Sequence, residues 1–291
     1  VAPEPELAYA ALTRWYAQHA RPLPWRETTD PWAILVCEVM SQQTPVARVE
    51  PVWRAWLERW PTPADLAAAS PAEVLIAWDR MGYPRRALRL QEAAIAIVER
   101  GSFPTTYDDL LDLPGVGPYT AAAVVAFAFR GYSIVLDTNI RRVLARWHGQ
   151  ALPAPSQTKA ELARAQAFVP SGERAWRWNA AIMEFGALAC TARAPACEGC
   201  PLAARCEWNL AGHPGDSHAH RRRTQAWEGT NRQARGKIMA ALRAGPHGYE
   251  DLLTATALPP ERLGPALDGV LCDGLAEQVS GQFRLPLASK P

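Results

Sequence analysis

Four of the six cysteines of this chain fall in one short stretch, as Cys190-x6-Cys197-x2-Cys200-x5-Cys206. Four thiolates so close in sequence can close around one soft metal centre, which ties the loop at four points. A structural zinc site more often shows two Cys-x2-Cys pairs, whereas this array has one pair and two single cysteines. The spacing therefore ranks an iron–sulfur cluster ahead of zinc and leaves both open. A redox dithiol at Cys197-Glu198-Gly199-Cys200 is disfavoured, because no βαβ pattern surrounds it. Four free thiols would form a reactive cluster, which disfavours that reading too. Cys37 and Cys272, outside the array, read as packing residues.

At 291 residues the chain is long enough for about two domains and needs no disulfide framework, so a reducing compartment is expected. With 48% hydrophobic and 21% charged residues, wholesale disorder is excluded. The net charge of +2 neither demands nor excludes a nucleic-acid partner. The longest apolar run, residues 121–129, is about half the ~20 residues that span a bilayer, and without a basic n-region and apolar h-region at its start no signal peptide is expected. The expected setting is cytoplasmic, bacterial in type and nucleoid-associated, without membrane contact. Nothing asks for more than a monomer.

Strand signals are nearly absent through residue 210, and helical periodicity replaces them. Leu35, Val36, Val39 and Met40 share one helix face, as do Val143, Leu144 and Trp147. Pro31, Pro51, Pro61, Pro63, Pro71, Pro104 and Pro114 read as helix boundaries, and Ser70-Pro-Ala-Glu73 as a capped start. Residues 212–231 read as a basic linker. Beyond it, 232–291 order as three helices, the third after Pro259-Pro260, then strand, Ser280-Gly281 turn and strand. That order is winged-helix-like. The fold class expected is mainly α, with a small α+β region at the C-terminal end.

Leu113-Pro-Gly-Val-Gly-Pro-Tyr-Thr120 precedes the apolar helix, where Gly115 and Gly117 allow a tight turn with outward backbone amides, a phosphate-binding arrangement. A plain interhelical turn is the simpler reading of Gly-x-Gly alone. Asp137, after three apolar residues, is an N-cap or a partly desolvated functional carboxylate. Glu38 lies between apolar neighbours, where a carboxylate usually marks the solvated side of a helix. The run Ser41-Gln42-Gln43-Thr44 after it carries amides able to probe base edges.

Taken together, Leu-Pro-Trp-Arg (23–26), Glu-Val-Met-Ser-Gln-Gln-Thr (38–44), Met-Gly-Tyr (81–83), the hairpin (113–120), Leu-Asp-Thr-Asn (136–139), Met-Glu-Phe-Gly-Ala (183–187) and the cysteine array are specific. Over about residues 7–210 the chain resembles the adenine DNA glycosylases, the MutY family of the helix-hairpin-helix, iron–sulfur DNA glycosylase superfamily. The resemblance implies a two-lobed fold. Residues 1–22 and 131–211 would form an iron–sulfur lobe, and 23–130 a six-helix lobe carrying the hairpin. It makes a [4Fe–4S] cluster on Cys190, Cys197, Cys200 and Cys206 the favourite over zinc.

The implied partner is double-stranded DNA with a mismatched or oxidised base pair, and the implied reaction is excision of an extruded adenine opposite 8-oxoguanine or guanine. Glu38 would be the general acid and Asp137 the carboxylate that stabilises charge on the sugar. Asn139 would orient the Glu38 side. Tyr119 stands where lyase relatives such as endonuclease III carry a Schiff-base lysine; the resemblance therefore implies a monofunctional glycosylase, with Tyr119 near Asp137. Arg21, Leu23, Trp25, Arg26 and Glu184 match adenine-pocket positions, and Gln43 and Tyr83 match positions that wedge into the base stack. A second pocket carboxylate, Glu184, suits a purine.

Departures are also present. Thr138 blends the endonuclease III pattern into the adenine one, and Pro84 replaces a second tyrosine. No Phe-Ser-His loop of a Nudix-like domain occurs, and residues 232–291 stand in that domain's place. Glu261, Asp268 and Asp273 make the third C-terminal helix a poor groove reader, so a structural or protein-contact role is expected for that domain at least as much as docking on DNA. The basic run Arg221, Arg222, Arg223, Arg232, Arg235 and Lys237 is expected to follow phosphates instead. Arg141, Arg142 and Arg146 read as solvated helix charges and, secondarily, as phosphate candidates. The alternatives are a mismatch thymine/uracil glycosylase on the same scaffold and a non-catalytic iron–sulfur regulator, which would need neither Glu38 nor Asp137.

Overall fold

The computed structural model describes residues 4–222 and 227–288. Among these the chain is mainly helical, with one two-stranded sheet near its C-terminal end, the expected class. In chain order the helices are α1 (Glu4–His19), α2 (Pro31–Ser41), α3 (Val46–Arg59), α4 (Pro63–Ala68), α5 (Pro71–Trp78), α6 (Arg85–Arg100), α7 (Tyr107–Leu111) and α8 (Pro118–Phe127). They continue as α9 (Thr138–Trp147), α10 (Lys159–Phe168), α11 (Arg174–Leu188), α12 (Glu207–Leu210), α13 (Asn231–Ala244), α14 (Tyr249–Thr256) and α15 (Pro260–Cys272). Strands β1 (Glu277–Val279) and β2 (Gln282–Arg284) follow.

Local chemistry starts these helices. Ser70 accepts from Glu73 N–H while the Glu73 carboxylate accepts from Ser70 N–H, the reciprocal cap that Ser-Pro-Ala-Glu implies. Asp30 caps α2, accepting from Trp32 N at 3.1 Å and Ala33 N at 3.3 Å. Pro51 is a correction to the boundary reading: it lies inside α3, where burial of Val49, Trp53 and Trp56 on one face outweighs the lost backbone donor.

The chain forms two compact units. One comprises the described parts of Val1–Ile34, Thr105–Asp108 and Gly117–Arg223; the other comprises those of Leu35–Pro104, Asp109–Val116 and Thr224–Pro291. In the first, residues 120–126 of α8 are all buried, as an all-round apolar helix requires. Ala122, Ala123 and Ala126 share a core with Leu12, Ile140, Val143, Trp178, Ile182 and Phe185. Gly186 sets how closely α11 meets the start of α9. A Cβ there would stand 2.8 Å from Asn139 Cβ and 2.9 Å from the Asn139 carbonyl oxygen, so only glycine fits.

In the second unit, Ile238, Leu242, Leu263, Leu267 and Phe283 share one core with Leu75 of α5. The expected order of three helices and a hairpin is present, and Ser280 (φ 51°) and Gly281 (φ 80°) make the two-residue turn. His247 adds a one-residue bridge to Phe283, with N–H···O distances of 2.9 and 2.8 Å. Asp273 is not a free acid of the third C-terminal helix. It lies just past α15 and ion-pairs with Arg85 at 3.1 Å and with Arg235. Cys37 is buried, as expected, but Cys272 is exposed in the last turn of α15 and packs no core. No described helix is long and apolar enough to cross a membrane.

Candidate active site

Asp137 is both a helix cap and a desolvated carboxylate. It is the N-cap of α9, with Oδ1 accepting from Ile140 N at 2.6 Å and Oδ2 from Asn139 Nδ2 at 2.7 Å. Burial pushes its pKa up, opposed by those hydrogen bonds and by the charge of Arg142. A cap alone needs no desolvated carboxylate; this one is held in a low-dielectric place with its donors fixed.

Asn139 bonds onward. Its Oδ1 accepts from Arg142 Nη2 at 2.8 Å, and the same guanidinium donates to Cys190 O at 2.7 Å and Gly186 O at 2.6 Å. One turn later, Arg146 donates to Cys190 Sγ at 3.3 Å, Thr191 O at 2.7 Å and Ala192 O at 3.1 Å. Arg142 and Arg146 are both buried, which corrects their reading as solvated charges. The i, i+4 spacing put them on one face, but only the neighbouring loop makes that face an interior one. Arg141 is half-buried and paired with Glu161 at 2.7 Å.

Cys190, Cys197, Cys200 and Cys206 line one cavity together with Arg146, Phe185 and Trp208. Burial pushes the thiols of Cys197 and Cys206 up, and that of Cys200 up to about 11. Such sulfurs give up protons only against a strong positive centre. Four convergent soft donors with a guanidinium beside one of them fit a thiolate-ligated cluster, whose negative charge Arg146 offsets.

On the other side of α11, Glu184 is 1% exposed and both its oxygens are taken. Oε1 accepts from Arg21 N (2.9 Å), Arg21 Nε (2.8 Å) and Arg26 Nη1 (3.1 Å); Oε2 accepts from Arg21 Nη2 (2.6 Å) and Arg26 Nη2 (2.7 Å). Burial alone would raise the Glu184 pKa, but these donors hold it down at about 2. Glu184 is therefore an ionised anchor for two arginines. Leu23 between those arginines is buried and Trp25 half-buried, in a 3-10 turn at Pro24–Arg26. Tyr119, in the first turn of α8, packs half-buried against the core of the first unit.

In the second unit Glu38 is 8% exposed, and every residue from Trp32 to Met40 is buried. The solvated-face reading of this carboxyl is thereby overturned. Past it the chain turns at Gln43 (φ 54°), and a second loop turns at Gly82 (φ 77°) and Tyr83 (φ 48°). Both Gln43 and Tyr83 are exposed. Positive φ at non-glycine residues stores strain that surrounding structure must hold. Arg86 holds it: Nη1 donates to Val39 O (2.8 Å) and Gln42 O (2.6 Å), while Nη2 donates to Met81 O (3.2 Å) and Gly82 O (3.1 Å). One guanidinium thus joins the end of α2 to both exposed loops, a role nothing local in the sequence signals.

The hairpin tip lies beside them. Pro114, Gly115 and Val116 line a cavity of about 220 Å³ with Gln42, Arg86 and Arg89. Gly115 is required twice, by φ 76° and by Arg89 Cβ, 2.6 Å from where its own Cβ would be. Gly117, the N-cap of α8, has open space around its Cα. Of the basic run, Arg221 is exposed, and Arg222 is paired with Asp216 and donates to Pro153 O at 2.7 Å. Arg223 lies outside the described residues.

Comparison with known proteins agrees with this geometry. A family model described as HhH-GPD superfamily base excision DNA repair protein matches residues 36–167. A second, the iron–sulfur binding domain of endonuclease III, matches 190–206, bounded by the first and last cysteines of the array. The cofactor is therefore a [4Fe–4S] cluster, and zinc is set aside. The adenine DNA glycosylase of Mycolicibacterium smegmatis is 47% identical over 280 residues, covering 94% of each chain. The human adenine DNA glycosylase is 39% identical over 208 residues, covering 67% of this chain and 38% of its own. Among solved structures, a thermostable thymine-DNA glycosylase matches with TM-score 0.66 and 28% identity, covering 71% of this chain and 97% of its own.

Proposed function

This chain belongs to the adenine DNA glycosylase family, and on that premise we propose that it hydrolyses adenine from double-stranded DNA where the adenine faces 8-oxoguanine or guanine. Glu38 gives a proton to the imidazole-side nitrogen of the extruded base. The bond to the sugar then breaks with its electron pair leaving on a neutral adenine. Asp137 stays ionised and stabilises the positive charge that grows on the sugar until water adds there. Asn139 holds the Asp137 carboxylate in place, and Arg142 holds Asn139. Arg21, Leu23, Trp25 and Arg26 form the pocket wall, kept in shape by Glu184.

Gln43 and Tyr83 enter the base stack, while the amides around Gly115 and Gly117, with Arg221, Arg222 and Arg223, follow phosphates. The four cysteines hold the cluster, which when bound supplies the tie that fixes the 190–206 loop over α9. The enzyme acts as a monomer on chromosomal DNA in the cytoplasm. Its organisation follows the iron–sulfur lobe (1–22 and 131–211), hairpin lobe (23–130), basic linker (212–231) and C-terminal domain (232–291).

The observation that carries this reading is Asp137, a desolvated carboxylate held by two donors at the head of α9. Tyr119 has no amine to form a Schiff base, so strand cleavage is not part of the reaction. The thymine-DNA glycosylase likeness gives the pyrimidine alternative its standing, and one assay separates the two. Single-turnover release is measured on adenine opposite 8-oxoguanine, guanine or cytosine, and on thymine or uracil opposite guanine. Breaks are expected only after alkali, fastest for adenine opposite 8-oxoguanine. Release of a pyrimidine alone, or breaks before alkali, would overturn the assignment.

A further inference from the structure

The exposed loop that carries Tyr83 is touched by the C-terminal region. Arg232, in the first turn of α13, donates Nη1 to Tyr83 Oη at 2.9 Å and stands 5.0 Å from the centre of the Tyr83 ring. The same guanidinium is 4.9 Å from the centre of the Trp227 ring. Tyr83 is 42% exposed and Trp227 52% exposed. Two large aromatic rings joined by an arginine and left open to solvent form the composition of a binding hot spot, not of a core.

The arrangement is built, not incidental. Thr230 caps α13, accepting from Gln233 N at 3.2 Å, and its hydroxyl donates to Trp227 O at 2.8 Å. Arg262 of α15 donates to Thr230 O at 3.2 Å. The helix beneath is anchored by the shared core with Leu75, by Arg235 on Asp273, and by Arg243, 3.7 Å from Asp79. Arg232 and Trp227 are thus presented from packed elements beside a strained loop.

Aromatic faces and guanidinium planes stack on nucleobases, and arginine N–H donors pair with the carbonyl and ring-nitrogen acceptors on a purine's outer edge. Guanine offers O6 and N7 there, and cytosine offers a donor instead; 8-oxoguanine offers O6 and O8 on either side of an N7–H donor. This inference rests on the reading above, in which Tyr83 enters the stack at the excised pair. We infer that Trp227 and Arg232 read the base opposite the excised adenine, accepting an oxidised or unmodified guanine and rejecting cytosine. The C-terminal region is then part of the specificity machinery.

The test is single-turnover adenine release opposite 8-oxoguanine, guanine and cytosine, by the full chain with its cluster and by Arg232→Ala, Trp227→Ala and Tyr83→Phe. In Arg232→Ala the 8-oxoguanine-to-cytosine rate ratio is expected to fall about tenfold, the scale of one mismatched contact. Trp227→Ala should move it the same way. Tyr83→Phe keeps the ring and removes only the hydroxyl that receives Arg232, so a drop of about threefold there reports the contact even if Arg232→Ala folds poorly. Ratios within twofold of the unsubstituted chain in all three variants would overturn the inference while leaving the glycosylase reading intact. Absence of adenine release by the unsubstituted chain would instead overturn that reading and this inference with it.

Discussion

Replacing Glu38 with glutamine is expected to slow adenine release by about 10³-fold, the scale that a positioned general acid contributes. The substitution is nearly isosteric, and Glu38 sits in a run of buried residues on α2, so packing is retained while the proton is lost. Single-turnover kinetics on adenine opposite 8-oxoguanine measures it, and a loss below tenfold would remove Glu38 from the mechanism. The pH profile of the unsubstituted chain tests the other carboxylate. Burial raises the Asp137 pKa above its ordinary 3.8, and the proposed charge-stabilising role needs its ionised form. Release should therefore fall on the acid side with an inflection above that value. The same shift makes ionised Asp137 a cost to stability: its contribution is favourable only at acid pH and is lost as pH rises through the raised pKa. A carboxylate kept against that cost is what a charge-stabilising role requires.

The second large effect concerns stability. Changing Glu184 to glutamine is expected to lower unfolding free energy at pH 7 by about 3 kcal/mol, because a pKa held near 2 instead of 4.5 reports that much preference for the charged form. The magnitude agrees with the cost of stripping one partner from a buried ion pair. The sign follows from the depressed pKa. The stabilisation is full above pH 4.5 and disappears as pH falls toward 2, so the two proteins should converge in acid. Urea denaturation at pH 7 and pH 3 checks both parts. Equal midpoints at pH 7 would show that Arg21 and Arg26 need no buried anchor.

Much of the architecture was legible from short stretches. Ser70 and Glu73 cap a helix because their bonds reach only three residues along the chain. Ser280 and Gly281 turn a hairpin for the same reason. The cysteine array was readable since all four donors lie within one loop. The cap at Asp137 is local, since its carboxylate reaches only to Ile140, whereas its desolvation depends on elements distant in sequence. The burial of Arg142 and Arg146 is not legible in the sequence, because their spacing is identical whether that helix face meets water or a cysteine loop. That Glu184 is held by Arg21 and Arg26 is not legible locally, because those partners lie 163 and 158 residues away.

What this sequence determines by itself is therefore its local punctuation, its cluster ligands in spacing and type, and the motifs that mark a base-excising enzyme. Each rests on residues that touch through a few bonds of backbone. What only the tertiary structure decides is which charges are buried and with whom. Glu38 becomes an interior acid, Arg86 ties two loops, and Arg232 reaches Tyr83 across 149 residues of chain. A pairing at that separation leaves no periodicity in the sequence, because it is made by packing whole elements together rather than by the neighbours of either residue.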